Sequence, residues 1–159
     1  FAKAEAVSAM VYDPVLDRIG LVDQFRIGTL GSPYGPWTLE SVAGMVEEGE
    51  APADVALREL EEEAGLQAKE LVPITAFYPT PGSCNEYTHL FCAICDLTQA
   101  GGVFGVAGEN EDILFKAYPA EEVFNAMLQS RMNNAATLIG LQWLQFNRPQ
   151  LRARWPAWP

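Results

Sequence analysis

The sequence is poor in basic residues, with 10 Lys and Arg against 21 Asp and Glu and a formal net charge of −11. Nucleic acids and anionic membranes are bound through positively charged surfaces, so we expect neither as a partner. A substrate that carries phosphate would also be repelled by this charge. Divalent cations held by clustered carboxylates would overcome that repulsion, because they bind phosphate oxygens as well.

Long apolar runs and a cysteine framework are also missing. No run approaches the roughly 20 apolar residues of a membrane span, and residues 1–5 lack a signal-peptide pattern. The cysteine count is odd, and Cys92 and Cys95 lie in an apolar segment that predicts a buried strand. We therefore predict core thiols and a cytoplasmic protein. The single histidine, His89, begins the same segment and is predicted to be structural.

The length of 159 residues predicts one domain, 1–159, in which strands alternate with helices. Turn residues and apolar periodicity predict strands at 7–12, 19–25, 71–78, 89–96 and 113–118, and a short extended segment at 37–42. The same patterns predict helices at 52–64, 121–131 and 135–146. The segments 28–36, 44–49, 79–88 and 100–112 are predicted loops, and the tail 152–159 receives no assignment.

The helix at 52–64 carries an acidic face. Glu59, Glu62 and Glu63 are spaced i, i+3 and i+4, so they share one side of the helix and repel one another. Bound cations would relieve that repulsion, whereas a solvated acidic face is the alternative. Arg58 precedes Glu62 by four residues and is expected to brace it. A separate apolar stripe is predicted to face the core: Ala53, Leu57, Leu60 and Ala64.

The loop before this helix favours the cation site. Gly44 and Gly49 permit a tight backbone path in which a carbonyl oxygen can face a metal. Glu50 stands just before the helix and is expected to reach back toward the other carboxylates.

Loop and helix together resemble the Nudix box, Gly-x5-Glu-x7-Arg-Glu-U-x-Glu-Glu-x-Gly-U, in which U is a bulky aliphatic residue. Every fixed position is filled: Gly44, Glu50, Arg58, Glu59, Leu60, Glu62, Glu63, Gly65 and Leu66. A chance match in a chain of this size is on the order of one in a million at ordinary residue frequencies. The sequence is therefore identified as a member of the Nudix hydrolases, which split nucleoside diphosphates linked to another group.

From residue 7 to about 146 the sequence also resembles the bacterial ADP-ribose pyrophosphatases. Pro81 stands fifteen residues after Leu66 (81 − 66), where that family tends to place a proline, although a plain Pro-Gly turn is the alternative. Residues 23–26, 109–112 and 141–144 resemble its substrate-binding strand, catalytic loop and last helix. That family usually has a further N-terminal region that supports the dimer and the nucleotide site, so the resemblance implies such a region ahead of Phe1.

The resemblance implies an α/β/α sandwich with a mixed sheet, a homodimer, and two or three Mg²⁺ ions, with Mn²⁺ as a substitute. It implies the following metal ligands: Glu59, Glu63 and the carbonyl of Ala43, supported by Glu62 and Glu111. It assigns the catalytic roles to Glu109 as general base, with Glu62 and Arg58. Substrate contacts are expected from Arg26, Glu40, Gly82 and Glu86. The reaction implied is hydrolysis of ADP-ribose to AMP and ribose 5-phosphate.

Two other functions remain open at this level. The box supplies metals and says little about the substrate, so a diphosphatase for another nucleotide sugar, such as GDP-mannose, fits it equally well. A non-catalytic module that senses nucleotides is less favoured, because such modules usually lose box carboxylates, whereas Glu59, Glu62 and Glu63 are all present here.

Overall fold

The computed structural model describes residues 4–109, 112–129 and 131–159, and of Glu109 only the backbone. Its strands are β1 (Glu5–Asp13), β2 (Arg18–Phe25), β3 (Trp37–Glu40), β4 (Val42–Val46), β5 (Glu70–Phe77), β6 (Tyr87–Ile94), β7 (Gly102–Phe104) and β8 (Ile113–Pro119). Its helices are α1 (Pro52–Ala64), α2 (Ala120–Ala126) and α3 (Ala135–Arg154). Short 3₁₀ turns lie at Ile27–Thr29 and Ala107–Glu109.

Strand β1 organises the sheet, whose hydrogen-bonded order is β5-β6-β1-β2-β8-β7. One edge of β1 pairs in parallel with β6 over most of its length. The other edge is shared, since residues 11–13 pair with β2 and residues 5–9 pair with β4, both antiparallel. Strands β2 and β4 therefore diverge from the same edge of β1, and β3, which lies between them in the chain, pairs with β2. The sheet is mixed, as predicted.

Helices cover both faces of the sheet because the side chains of β1 alternate between two apolar clusters. Met10 and Tyr12 pack with α2 and α3, whereas Ala9 and Val11 pack with Leu60 and Ala64 of α1. Apolar side chains on both faces are expected of a strand that is buried on both sides of the sheet. The result is the α/β/α sandwich that the sequence predicts.

Helix α1 has the predicted bounds. Pro52 occupies its first turn, and Gly65 ends it in the left-handed conformation at φ 63°, which glycine adopts without steric cost. The predicted core stripe was wrong in half of its members, since Ala53 and Leu57 are exposed while Val55 and Ala56 are buried. The buried arc is rotated toward the acidic face, so that Glu63 lies within it.

Four other segments differ from the sequence-based expectation. Residues 44–46, inside the predicted loop 44–49, belong to β4, which pairs with β1. Residues 102–104, inside the predicted loop 100–112, form β7 because they pair with β8. Helix α2 ends at Ala126 rather than 131. Helix α3 continues past Phe146 and through Pro149 to Arg154, because Leu151 is buried in the core and Arg148 forms an ion pair with Asp17.

The unassigned tail also packs on the sandwich. Trp155 and Trp158 contact each other, with ring centroids 5.4 Å apart, and both lie against the cluster beneath α3. The leucine spacing did not predict the extension of α3, because Leu151 stands two turns beyond Leu144 with Pro149 between them. The continuation depends on distant partners.

The cysteines and the histidine occupy the places that the sequence suggests. Cys92 and Cys95 are free and buried, and burial raises the pKa of each thiol, to about 12 for Cys95. His89 contacts Glu5, 3.0 Å from Nε2 to Oε2, and the ring of Tyr87. Within the described ranges, no helix combines the length and the apolarity that crossing a membrane requires.

Candidate active site

A cleft of about 720 Å³ opens where β2 and β4 part. Its walls come from β1, the end of β2, β4, α1, the loop between β5 and β6, and the first turn of α3. The predicted site residues that line it are Arg26, Ala43, Arg58, Glu59, Glu62, Glu63 and Glu86. Residues that are distant in sequence thus share one cavity, whose size is within the range of small-molecule sites.

The acidic wall of the cleft rests on the glycine loop. The carboxylate of Glu59 packs on Gly44, where an added Cβ would lie only 2.2 Å from its Cδ and Oε1 atoms. The backbone N–H of Ala43 donates to Oε2 of Glu63 at 3.1 Å. Any side chain at position 44 would displace Glu59, so this glycine is required for the close approach. Ala43, Glu59 and Glu63 are therefore brought together, and carboxylate and carbonyl oxygens are the ligands that hard divalent cations take.

Arg58 holds the carboxylates around it. Its guanidinium lies 3.1 Å from Glu59, 3.4 Å from Glu62 and 3.5 Å from Glu50. Partial burial lowers the pKa of Arg58, but the three negative charges outweigh this and raise it overall, so the group stays cationic. Glu50 also accepts a hydrogen bond from the N–H of Glu47 at 2.9 Å, which closes the turn before α1.

The carboxylates are not drawn into a tight cluster. In the part of the chain that the structure describes, no group of three or more His, Cys, Asp or Glu side chains has the geometry to hold an ion. Like charges on adjacent turns repel, and Arg58 compensates them from the side. The oxygen donors of Glu59, Glu62 and Glu63 fit a hard cation in chemistry.

The opposite wall carries Arg26, whose side chain is 42% exposed. It forms an ion pair with Glu40, 2.7 Å from Nη2 to Oε2. Glu40 itself is 3% exposed and is not among the residues that line the cleft. The carboxylate of Glu40 therefore lies against the guanidinium of Arg26, and its expected contact with the substrate stays a prediction.

The loop between β5 and β6 contributes two of its residues, Pro79 and Glu86, to the cleft. Glu86 accepts a hydrogen bond from Thr88 at 3.2 Å. Gly82, expected to contact substrate, lies with Pro81 in an exposed turn outside the cleft lining. This turn is closed by Thr80 and Ser83, whose hydroxyls are 2.8 Å apart, so the cleft is lined by the two ends of the loop and not by its tip.

The segment before the predicted catalytic loop is anchored to α1. The N–H of Gly105 donates to the carbonyl of Glu62 at 3.4 Å, and Val106 lines the cleft. The 3₁₀ turn Ala107–Glu109 follows directly. The orientation of the Glu109 side chain, and Glu111 altogether, lie outside the described residues.

Several cleft residues were missed by the sequence analysis. The start of α3 contributes Asn134, Ala135 and Ala136, and β1 contributes Ser8. Asn134 caps α3 by accepting from the N–H of Thr137 at 3.1 Å. The helix start at 135 was visible in the sequence, but its approach to the cleft depends on how α3 crosses the sheet.

The fold is an α/β/α sandwich with an open cleft. One wall of the cleft carries a glycine loop and an acidic helix, and the other wall carries an arginine. These features define a class of protein that can hold cations beside an anionic ligand. A model of the NUDIX domain matches residues 2–139. The chain is 45% identical over 156 residues to an ADP-ribose pyrophosphatase of Haemophilus influenzae, covering 96% of this chain and 72% of that protein. It is 39% identical over 155 residues to the ADP-ribose pyrophosphatase of Escherichia coli strain K12, covering 98% and 74%.

The fold has a similar solved counterpart. A crystal structure described as an ADP compounds hydrolase superimposes with a TM-score of 0.74 at 20% identity, covering 95% of this chain and 76% of that one. The chain belongs to the Nudix family. Membership implies a divalent metal cofactor, as the chemistry of the acidic wall does.

We expect Glu63→Gln to reduce turnover more than Glu61→Gln. Glu63 is 4% exposed and held by the Ala43 N–H at the acidic wall, whereas Glu61 is exposed and lines no part of the cleft. The substitution at 63 should cost more than about tenfold in kcat/KM, as is typical when a metal's oxygen shell is disturbed. Steady-state kinetics of both variants, with circular dichroism as the folding control, decides this, and equal losses would place the site elsewhere.

Proposed function

We propose that this chain hydrolyses the pyrophosphate bond of ADP-ribose, giving AMP and ribose 5-phosphate. The observation that carries the proposal is a cleft that is lined by Glu59, Glu62 and Glu63 of the box and also by Arg26. A pyrophosphate placed between these walls meets a cationic group on one side and cation ligands on the other. The resemblance to ADP-ribose pyrophosphatases over nearly the whole chain supports the choice of substrate.

Magnesium is the proposed cofactor, as two or three ions, with manganese as a substitute. Glu59, Glu63 and the carbonyl of Ala43 would hold it, supported by Glu62 and Glu111. When bound, magnesium neutralises phosphate charge and makes water a better nucleophile. The protein's own contribution is to place Glu59 against Gly44 and Glu63 against the N–H of Ala43 on one wall and, through Arg26, to bind a phosphate by a charge-assisted hydrogen bond.

We expect ADP-ribose to be cleaved with a higher kcat/KM than GDP-mannose. The box contacts the diphosphate and does not distinguish the groups attached to it, so the rest of the cleft must determine which substrate is bound. The sequence outside the box resembles that of the ADP-ribose pyrophosphatases. A panel of nucleoside diphosphate sugars, assayed with magnesium and a coupled phosphatase on the full-length protein, measures the preference. A reversed order would identify a diphosphatase for another sugar nucleotide.

A homodimer is proposed as the working form. Five large apolar side chains between residues 25 and 37 are exposed: Phe25, Ile27, Leu30, Tyr34 and Trp37. The segment holds no Asp or Glu in a chain with 21 of them, so two copies can meet here without the repulsion that the rest of the surface would create. Exposed apolar patches of this kind mark interaction sites.

The free, buried cysteines support a cytoplasmic location.

A further inference from the structure

We propose that Glu40 is a positioning residue for substrate binding, because its buried carboxylate fixes the guanidinium of Arg26 at the wall of the cleft. The inference rests on the proposed function, since it concerns how the same cleft holds its anionic substrate. It differs from the expectation that Glu40 meets the substrate directly.

The contact between the two side chains is made along one edge of the guanidinium. Oε2 of Glu40 accepts from Nη2 of Arg26 at 2.7 Å and from Nε at 3.1 Å, and Oε1 accepts from Nε at 3.2 Å. An edge-on contact of this type sets both the position and the plane of the group. A long arginine side chain that is 42% exposed would otherwise sample many rotamers.

The carboxylate of Glu40 is itself held. The Thr38 hydroxyl donates to its Oε1 at 2.9 Å, and Nδ2 of Asn134 donates to the same atom at 3.5 Å. Because Glu40 is 3% exposed, it has little water to replace these partners. Separating a buried carboxylate from its cationic partner strongly destabilises the folded protein. The burial of Glu40 therefore also keeps Arg26 beside it.

The backbone under this pair is fixed by a chain of hydroxyls. Ser41 follows Glu40 directly, and its N–H donates to the Thr137 hydroxyl of α3 at 3.0 Å. The hydroxyls of Ser8 and Ser41 are 2.5 Å apart. The junction between β3 and β4 is thereby tied to β1 and α3. Glu40, which holds Arg26, thus stands on a fixed backbone, and binding through Arg26 costs less ordering of its side chain.

A purely structural role for Glu40 predicts something different. Loss of such a role would lower the melting temperature and leave KM unchanged in the folded fraction. A positioning role raises KM and leaves kcat nearly constant, since Arg26 holds a phosphate in the ground state and the transition state alike. The split between KM and kcat therefore separates the two.

A double-mutant cycle tests the proposal on the nucleotide sugar that the wild-type protein cleaves best in the panel. We expect Arg26→Ala to raise KM about tenfold to 100-fold, the usual loss for a hydrogen bond to a charged group. Glu40→Gln should raise KM about threefold to tenfold in the wild-type background and less than about twofold in the Arg26→Ala background. In the latter background it should also raise the melting temperature, since it removes an unpaired buried charge.

The pair Glu70 and Arg154 is the matched control, because its ion pair of 2.5 Å lies outside the cleft. The same cycle there should leave KM unchanged. If Glu40→Gln does not fold, Thr38→Val removes one hydrogen bond from Glu40 and should raise KM in the same direction by a smaller factor. Additive effects of the Glu40 and Arg26 substitutions on KM would overturn the inference while the proposed function stands. Wild-type protein that cleaves no member of the panel would overturn both.

Discussion

Removal of divalent cations should abolish hydrolysis, and magnesium should restore it. The acidic wall places Glu59, Glu62 and Glu63 in one cleft of a protein whose net charge is −11. An anionic substrate approaching this wall meets repulsion unless cations intervene. Chelator-treated protein assayed with ADP-ribose should show only background product, and full turnover in the chelator would refute the cation site.

Binding of the cation can be measured apart from activity. A ligand that binds only the folded state stabilises it by about 2.7 kcal/mol at a concentration of 100 times Kd. The melting temperature should therefore rise with magnesium in the absence of any substrate. Glu63→Gln should reduce that rise, and Glu61→Gln, on the exposed side of α1, should leave it intact. A melting temperature that does not change when magnesium is added would contradict a cation site on α1.

Replacement of Glu109 by Gln should lower kcat by about 10² to 10⁴ with little change in KM, the usual range for loss of a general base. The resemblance assigns Glu109 this role. The turn Ala107–Glu109 follows Val106, which lines the cleft, and Gly105, which is bonded to α1. The glycines at 101, 102 and 105 have positive φ values of 119–141°, and glycine alone adopts such a path without strain.

Glu48→Gln is the matched control, since Glu48 is exposed and lies outside the cleft lining. Its kcat should match the wild type. Glu111→Gln should instead shift the magnesium concentration needed for half-maximal rate. If Glu109→Gln keeps kcat within about threefold of the wild type, well short of the range for a general base, the base lies elsewhere and Glu62 becomes the next candidate.

The structure also revises what was expected of the segment 100–112. The sequence predicts this glycine-rich segment as one long loop. Residues 102–104 instead pair with β8, and Phe104 lies against Gly65 at the end of α1. Pairing of so short a strand depends on the register of β8, which no local pattern encodes.

The sequence by itself predicted helix α1 with its acidic face, and its resemblance to the Nudix hydrolases predicted the α/β/α sandwich. Glu59 and Glu63 lie one helical turn apart, so helical geometry alone places their side chains on the same face of α1. The segment that contains Gly44 directly precedes this helix in the sequence. The alternation along β1 likewise required two covered faces. Local periodicity is enough for such features, since each follows from neighbours within a few turns.

Only the tertiary structure decided how the other wall is built. Arg26, Glu40 and Asn134 belong to β2, β3 and the start of α3, and their meeting depends on how these elements cross. The same is true of α1, where the core lies nearer to Glu63 than the apolar stripe indicates. A pattern of residue types reports which side of an element is apolar, but the partner that covers it is set by packing across the whole sheet.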